Sequence, residues 1–186
     1  CRFCPPGQYS DQYHQTACKK CGGGTWSDTY TVGADSNQTC LSCDPGRYSA
    51  TQGSVKLDQC KKCPEGRYSQ NSSAKTCDAC GVGKYMNDTG AAGCIDCVAG
   101  TWSGSTAKTK CELCETGQFS AEVGAHKDPC KVCAGGTFAD TEGSSACEKC
   151  DAGKFNLNDD ERINHVECSR CASDQTNTPG STFCYN

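Results

Sequence analysis

Ten Cys-x-x-Cys pairs run through this chain, opening at Cys1, Cys18, Cys40, Cys60, Cys77, Cys94, Cys111, Cys130, Cys147 and Cys168, with one further cysteine at Cys184. A fixed period of this kind is the signature of a repeat protein. Five of the nine intervals are 17 residues and the others 19 to 22. In nine repeats a glycine stands three residues after the second cysteine and an aromatic five after it: Gly7/Tyr9, Gly24/Trp26, Gly46/Tyr48, Gly66/Tyr68, Gly83/Tyr85, Gly100/Trp102, Gly117/Phe119, Gly136/Phe138 and Gly153/Phe155. Extra residues therefore enter between the aromatic and the next cysteine, where a loop tip accepts them.

Against 21 cysteines in 186 residues the chain holds 4 Leu, 2 Ile and 7 Val. That is too little aliphatic surface for a conventional hydrophobic core, so cross-links must offset the entropy of ordering. Cysteines in such numbers persist as disulfides in oxidising compartments, which points to an extracellular or cell-surface protein of the secretory pathway. Three sequons agree and mark Asn37, Asn71 and Asn87 as acceptors of N-linked glycans, whereas Asn177-Thr-Pro179 offers no hydroxyl at the required place. The 22 acidic and 18 basic side chains are interspersed, with no basic run longer than two, which is a solvated surface and no nucleic-acid footprint. No apolar run approaches 18 residues, so no membrane span is expected in this segment. Because the chain starts inside a motif at Cys1, it reads as a mature or truncated segment.

Paired Cys-x-x-Cys motifs also build zinc sites, two pairs supplying four thiolates. The sequons, the unbroken run of ten and the single Cys184 argue for disulfides instead. Redox Cys-x-x-Cys chemistry needs a strand and helix of which there is no periodic trace. Connectivity is not fixed by sequence alone. The simplest scheme joins the second cysteine of each pair to the first of the next: Cys4 to Cys18, Cys21 to Cys40, Cys43 to Cys60, Cys63 to Cys77, Cys80 to Cys94, Cys97 to Cys111, Cys114 to Cys130, Cys133 to Cys147, Cys150 to Cys168 and Cys171 to Cys184. It accounts for the single last cysteine and leaves only Cys1 over, to pair upstream or with another chain. Each bridge would contribute on the order of 3 kcal/mol by restricting the unfolded chain.

Within each loop the residues read as a short hairpin: a turn such as Pro5-Pro6-Gly7 or Pro64-Glu65-Gly66, two or three extended residues around the aromatic, a second turn, and a return to cysteine. The expected work of the aromatic is to cover the neighbouring disulfide. Each unit is expected to touch only its neighbours. The fold class is thus a small disulfide-rich repeat protein: an elongated, solenoid-like rod of about ten disulfide-closed β-hairpin loops over residues 1–186, with little regular secondary structure and no domain boundary.

The run Cys4-Pro5-Pro6-Gly7-Gln8-Tyr9-Ser10, followed by Cys18-Lys19-Lys20-Cys21, resembles the ephrin-receptor-like cysteine-rich module and the first loop of tumour necrosis factor receptor repeats. The resemblance extends over nearly the whole chain and implies an elongated ladder of loops with the sequential pairing above. The crossed two-disulfide second half of a tumour necrosis factor receptor repeat is missing, so that family's ligand-binding surface does not transfer. The tenth repeat, Cys171 to Cys184, carries Asp174 and Thr176 in place of the glycine and aromatic, as an atypical end unit would.

No enzyme constellation is present: His14, His126 and His165 are scattered without patterned partners. The stretch Asn158-Asp159-Asp160-Glu161 lacks the glycine and terminal glutamate of an EF-hand loop, and no cofactor or metal is expected. A ligand site should interrupt the pattern with an exposed apolar patch. The variable positions are small and polar apart from Tyr13 and Tyr30. These two, with Cys1 and Tyr185, are the candidate contacts to another chain. The expected function is an extracellular structural glycoprotein, a subunit of a filament, stalk or surface coat that self-associates head to tail or continues the same repeat upstream. A receptor-type ectodomain binding a protein ligand, or a shielding surface antigen, is the alternative.

Overall fold

The computed structural model describes residues 3–10, 17–28, 31–32, 39–157 and 166–185. It contains ten disulfides that join the second cysteine of each pair to the first of the next, from Cys4–Cys18 to Cys171–Cys184, with Cα–Cα separations of 5.5 to 5.8 Å. The bridged segments are called loops 1 to 10 in chain order. Among the described residues the named elements are two-residue strands in two-stranded sheets and the 3-10 turn Leu57–Gln59. This is a small disulfide-rich repeat protein.

Loops 1 to 9 open in the same way. After the opening cysteine of each, the chain makes a turn closed by a bond such as Gln8 N–H to the Pro5 carbonyl (3.1 Å) or Arg67 N–H to the Pro64 carbonyl (3.1 Å). The third residue of that turn must be left-handed, and the ladder glycine supplies it, for example Gly7 at φ 77° and Gly100 at φ 82°. The next two residues form a strand carrying the aromatic. Its antiparallel partner is the pair of residues inside the next Cys-x-x-Cys: Gln8–Tyr9 against Lys19–Lys20, Arg47–Tyr48 against Lys61–Lys62, Gln118–Phe119 against Lys131–Val132. The spacing of two between cysteines is therefore the length of the return strand. The cysteine that ends it donates its N–H to the ladder-glycine carbonyl, Cys21 to Gly7 and Cys114 to Gly100 at 2.9 Å each, and then opens the following loop.

By contacts the residues form two compact units, one of Cys1–Gly81, Tyr85–Ile95 and Thr106–Thr109, the other of Val82–Lys84, Asp96–Ser105 and Lys110–Asn186. In the first, Gly24 donates to the Ser49 carbonyl of the next loop (2.7 Å) and Gly46 to that of Ser69 (2.8 Å). In the second, Gly83 donates to Ser103 (2.8 Å) and Gly100 to Ser120 (2.7 Å). The same rule thus operates in both units.

In each unit the buried residues are chiefly cysteines and small residues. Cys21, Cys43, Cys63, Cys80, Cys97 and Cys150 are inaccessible to solvent, and so is the residue immediately after several aromatics, Ser27 and Ser103 at 0% exposure, with Ser49, Ser69 and Ser120 at 3%. The aromatics themselves, Tyr9, Trp26, Tyr48, Tyr68, Tyr85, Trp102, Phe119, Phe138 and Phe155, are only half-buried. Each ring thus stands partly at the surface, while the sulfur and the residue after the ring are the buried groups. The position is a serine or alanine in most loops, while loop 5 buries Met86 there and loop 9 Asn156, at 7% and 6% exposure.

One expectation needs correction. Loops contact more than their nearest neighbours. In the seven loops whose tips are described, a second turn lies at the tip, with a left-handed residue at Gly53, Ser73, Gly90, Ala107, Gly124, Gly143 and Gly180. That residue donates its N–H to the opening cysteine of the preceding loop, as Gly53 does to Cys21 (2.8 Å) and Gly143 to Cys114 (2.8 Å). Its carbonyl lies over the ladder glycine two loops back: a Cβ on Gly7 would stand 2.3 Å from the Gly53 oxygen, and one on Gly100 would stand 1.9 Å from that of Gly143. The address of insertions also narrows. The tip stands four residues after the buried residue that follows the ring in loops 3 to 8, and the extra length of loop 3 follows it, coiled into Leu57–Gln59 and pinned by the Gln59 Oε1, which accepts from Val55 and Lys56 N–H groups.

Candidate functional site

Of the residues singled out by sequence, Cys1, Tyr13, Tyr30 and Asn37 lie outside the described residues, as do His14, His165 and the Asn158–Glu161 stretch in the 158–161 range. Asn71 and Asn87 are exposed, each on the segment that leads into its loop tip. The hydroxyl of Ser73, third residue of the Asn71 sequon, donates to Ser42 Oγ at 2.7 Å. His126 is exposed. The bridged cysteines hold their sulfurs in S–S bonds, leaving them no thiolate to offer a metal. Among the described residues no cluster of three or more His, Cys, Asp or Glu is arranged to hold a metal ion.

An open cleft of about 430 Å³ lies in the second unit, with Asp140, Glu148, Asp151 and Glu167 facing Lys149 and Lys154. Lys154 Nζ pairs with Asp151 Oδ2 at 2.9 Å, with the carboxylate side chain 77% exposed. A cleft so wet and so charged lacks the apolar lining by which small-molecule sites bury a ligand. Exposed apolar side chains are scattered: Leu41, Ile95, Leu113 and Val132 on return strands, Val82 and Val98 in opening turns, and others at or beyond loop tips, such as Val55 and Val123.

The repeated feature with chemical definition is the backbone ladder itself, and its departures are informative. In the second unit, loop 10 keeps the opening turn, Gln175 N–H to the Ala172 carbonyl (3.0 Å), but has no left-handed residue there. Thr176 pairs with Tyr185 through bonds of 2.9 and 3.0 Å, taking the place of the aromatic strand. Asn177 is 5% exposed and acts through its side chain. Its Oδ1 accepts from Gly153 N–H (2.8 Å), where the preceding ladder glycines use a main-chain carbonyl, and its Nδ2 donates to the Lys154 carbonyl (2.8 Å). Tyr185, a sequence candidate, is 45% exposed and stands edge-on to Phe183, itself 62% exposed, with ring centroids 6.5 Å apart.

Sequence reasoning passed over the tip residues and Asn177. A signal for the tips existed in the recurrent Gly-Ser and Gly-Ala steps Gly53-Ser54, Gly90-Ala91, Gly124-Ala125, Gly143-Ser144 and Gly180-Ser181. Ser73 and Ala107, left-handed at φ 60° without being glycine, obscure it.

Residues 83–128 match the family model described as tyrosine-protein kinase ephrin type A/B receptor-like. That stretch is similar to a cysteine-rich receptor-type repeat. No significant match to a curated protein is found. Among the described residues, no helix is long and apolar enough to cross a membrane.

Proposed function

We propose that this chain is an extracellular structural glycoprotein, a repeat segment of a stalk, surface coat or filament with no catalytic role. The observation that carries the reading is the backbone ladder: the bonds between loops are main-chain to main-chain and recur with little change from Gly7 to Gly136. A surface of that kind spends its binding groups on its own next unit and can be extended by adding units. The disulfides, with the receptor-like repeat over residues 83–128, support an extracellular or surface location. Glycans on Asn37, Asn71 and Asn87 belong to the proposal, as does extension past Cys1, either by the same repeat upstream or head to tail from another protomer. Nucleic acid is no part of it.

The ephrin-receptor-like match favours one second reading, a receptor-type ectodomain with a protein ligand. Electron microscopy of natively isolated material separates the two. Fibrils, stalks or a continuous coat are the expected result. Dispersed monomers that bind one soluble protein partner at a defined repeat would replace the structural reading with the receptor.

A further inference from the structure

We infer that loop 10 is a built-in terminator of the ladder: one further loop could follow it, but no loop tip can rest on loop 10 itself, so regular stacking does not continue through it. The inference rests on the structural reading for its meaning, but its physical basis is independent.

To be stacked upon, a loop must offer two things. The first is a ladder residue without a Cβ. Seven ladder glycines have a tip carbonyl where a Cβ would go: the oxygen of Gly53 at 2.3 Å from Gly7, Ser73 at 2.0 Å from Gly24, Gly90 at 2.0 Å from Gly46, Ala107 at 2.2 Å from Gly66, Gly124 at 2.1 Å from Gly83, Gly143 at 1.9 Å from Gly100 and Gly180 at 2.0 Å from Gly136. Real Cβ atoms do not approach backbone oxygen so closely. Loop 10 places Asp174 at this position, in a turn with no left-handed residue. The second requirement is a main chain turned toward the next tip. The buried small residue of an inner loop accepts from the ladder glycine behind it through its carbonyl and donates its N–H forward, as Ser103 does to the Ala125 carbonyl (3.0 Å) and Ser120 to that of Ser144 (3.1 Å). Asn177 answers Gly153 with its side-chain Oδ1 instead. Its side chain thus stands where the repeat uses backbone, and the two amide hydrogens of Nδ2 are spent on the Lys154 and Phe183 carbonyls. Gly153 keeps its left-handed φ of 78°, yet nothing lies within 4 Å of where its Cβ would be. One tip could therefore rest on loop 9, but a second could not rest on loop 10. Capping units of this sort are what a repeat array needs at its end.

The test extends the whole chain by a second copy of residues 63–94 placed after Asn186, so that Tyr185 and Asn186 become the residues inside a new Cys-x-x-Cys. The copy carries Asn87→Gln, which gives its tip peptide a distinct mass and removes its sequon. Amide hydrogen exchange is read at the copied Gly90, whose carbonyl would have to rest on position 174. Two chains are compared, one with Asp174 and Asn177 and one with Asp174→Gly and Asn177→Ser. The inner Gly90, Gly124 and Gly143 amides report that both are folded. The copied Gly90 amide is expected to exchange about tenfold or more faster in the chain that keeps Asp174 and Asn177. Equal exchange in the two chains, whether protected or open, would overturn the terminator. Neither result alters what microscopy of the native protein says about structural or receptor function.

Discussion

Replacing one ladder glycine by alanine separates steric contact from conformational preference, because the molecule supplies both cases within one unit. Gly100 and Gly153 have nearly the same backbone, φ 82° and 78°. Alanine in the left-handed region costs about 1–2 kcal/mol at either position. At Gly153 nothing stands within 4 Å of the new methyl, so the cost ends there. At Gly100 the methyl meets the Gly143 oxygen at 1.9 Å, its carbon at 2.5 Å and the Ser144 carbon at 3.0 Å, all of them backbone. Ordinary contact requires the tip to move by more than about 1 Å. Such a shift breaks the bond from Gly143 N–H to the Cys114 carbonyl and strains that from Gly100 N–H to Ser120, 2.8 and 2.7 Å respectively. A buried polar group left unpaired costs about 1–3 kcal/mol, so Gly100→Ala is expected to lose about 2–5 kcal/mol in all. Denaturant unfolding with disulfides intact measures the difference, and amide exchange at Gly143 locates it. Equal losses for the two variants, within about 0.5 kcal/mol, would refute the claim that tips rest on glycine Cα atoms.

Four other outcomes are expected. Ala107→Gly, which relieves a left-handed alanine at φ 60°, should raise the unfolding midpoint by an amount worth about 0.5–1 kcal/mol, whereas Ser73→Gly should gain less because it also loses the bond to Ser42. Ser103→Leu should destabilise by about 1–3 kcal/mol in thermal unfolding, since Ser103 is inaccessible to solvent and the added atoms must displace its neighbours, while Ser103→Ala should cost about 1 kcal/mol for its bond to Ser105. Asn177→Ala should free the Gly153 N–H and lose about 1–3 kcal/mol, seen as faster exchange at Gly153 with Gly53 unchanged. Lys84→Ala should change stability by less than about 0.5 kcal/mol, because its pairing with Asp96 is roughly half exposed on both sides.

The ladder glycine was legible in the sequence because its requirement is local: a left-handed turn position shows as an invariable residue type at a fixed distance from cysteine, as Gly7, Gly46 and Gly100 do. The extended step at the aromatic and the return to cysteine were legible for the same reason. The return strand inside Cys-x-x-Cys was hidden, since Lys61–Lys62 and Glu112–Leu113 have no strand pattern of their own and are extended only because the preceding turn delivers a partner. Contacts reaching two loops back were also hidden. They are made by backbone, so neither Gly53 nor Ser73 needs a recognisable side chain to form them. Asn177 shows the remaining limit. As a failed sequon it carried no signal, and its role emerges only when its amide is found replacing a main-chain carbonyl. Of the candidate site, Tyr185 and the exposed Asn71 and Asn87 can be placed on the fold, while Cys1, Tyr13, Tyr30 and Asn37 fall outside the described residues.

Everything above depends on the cysteines being bridged in sequence along the chain. Digestion of natively sourced protein without reduction, followed by mass spectrometry, tests that most directly. The account predicts a fragment linking Cys63 to Cys77, none linking Cys60 to Cys63, and the same pattern through Cys171 and Cys184. Free thiols accompanied by stoichiometric zinc would contradict the ladder, the compartment and the proposed function together.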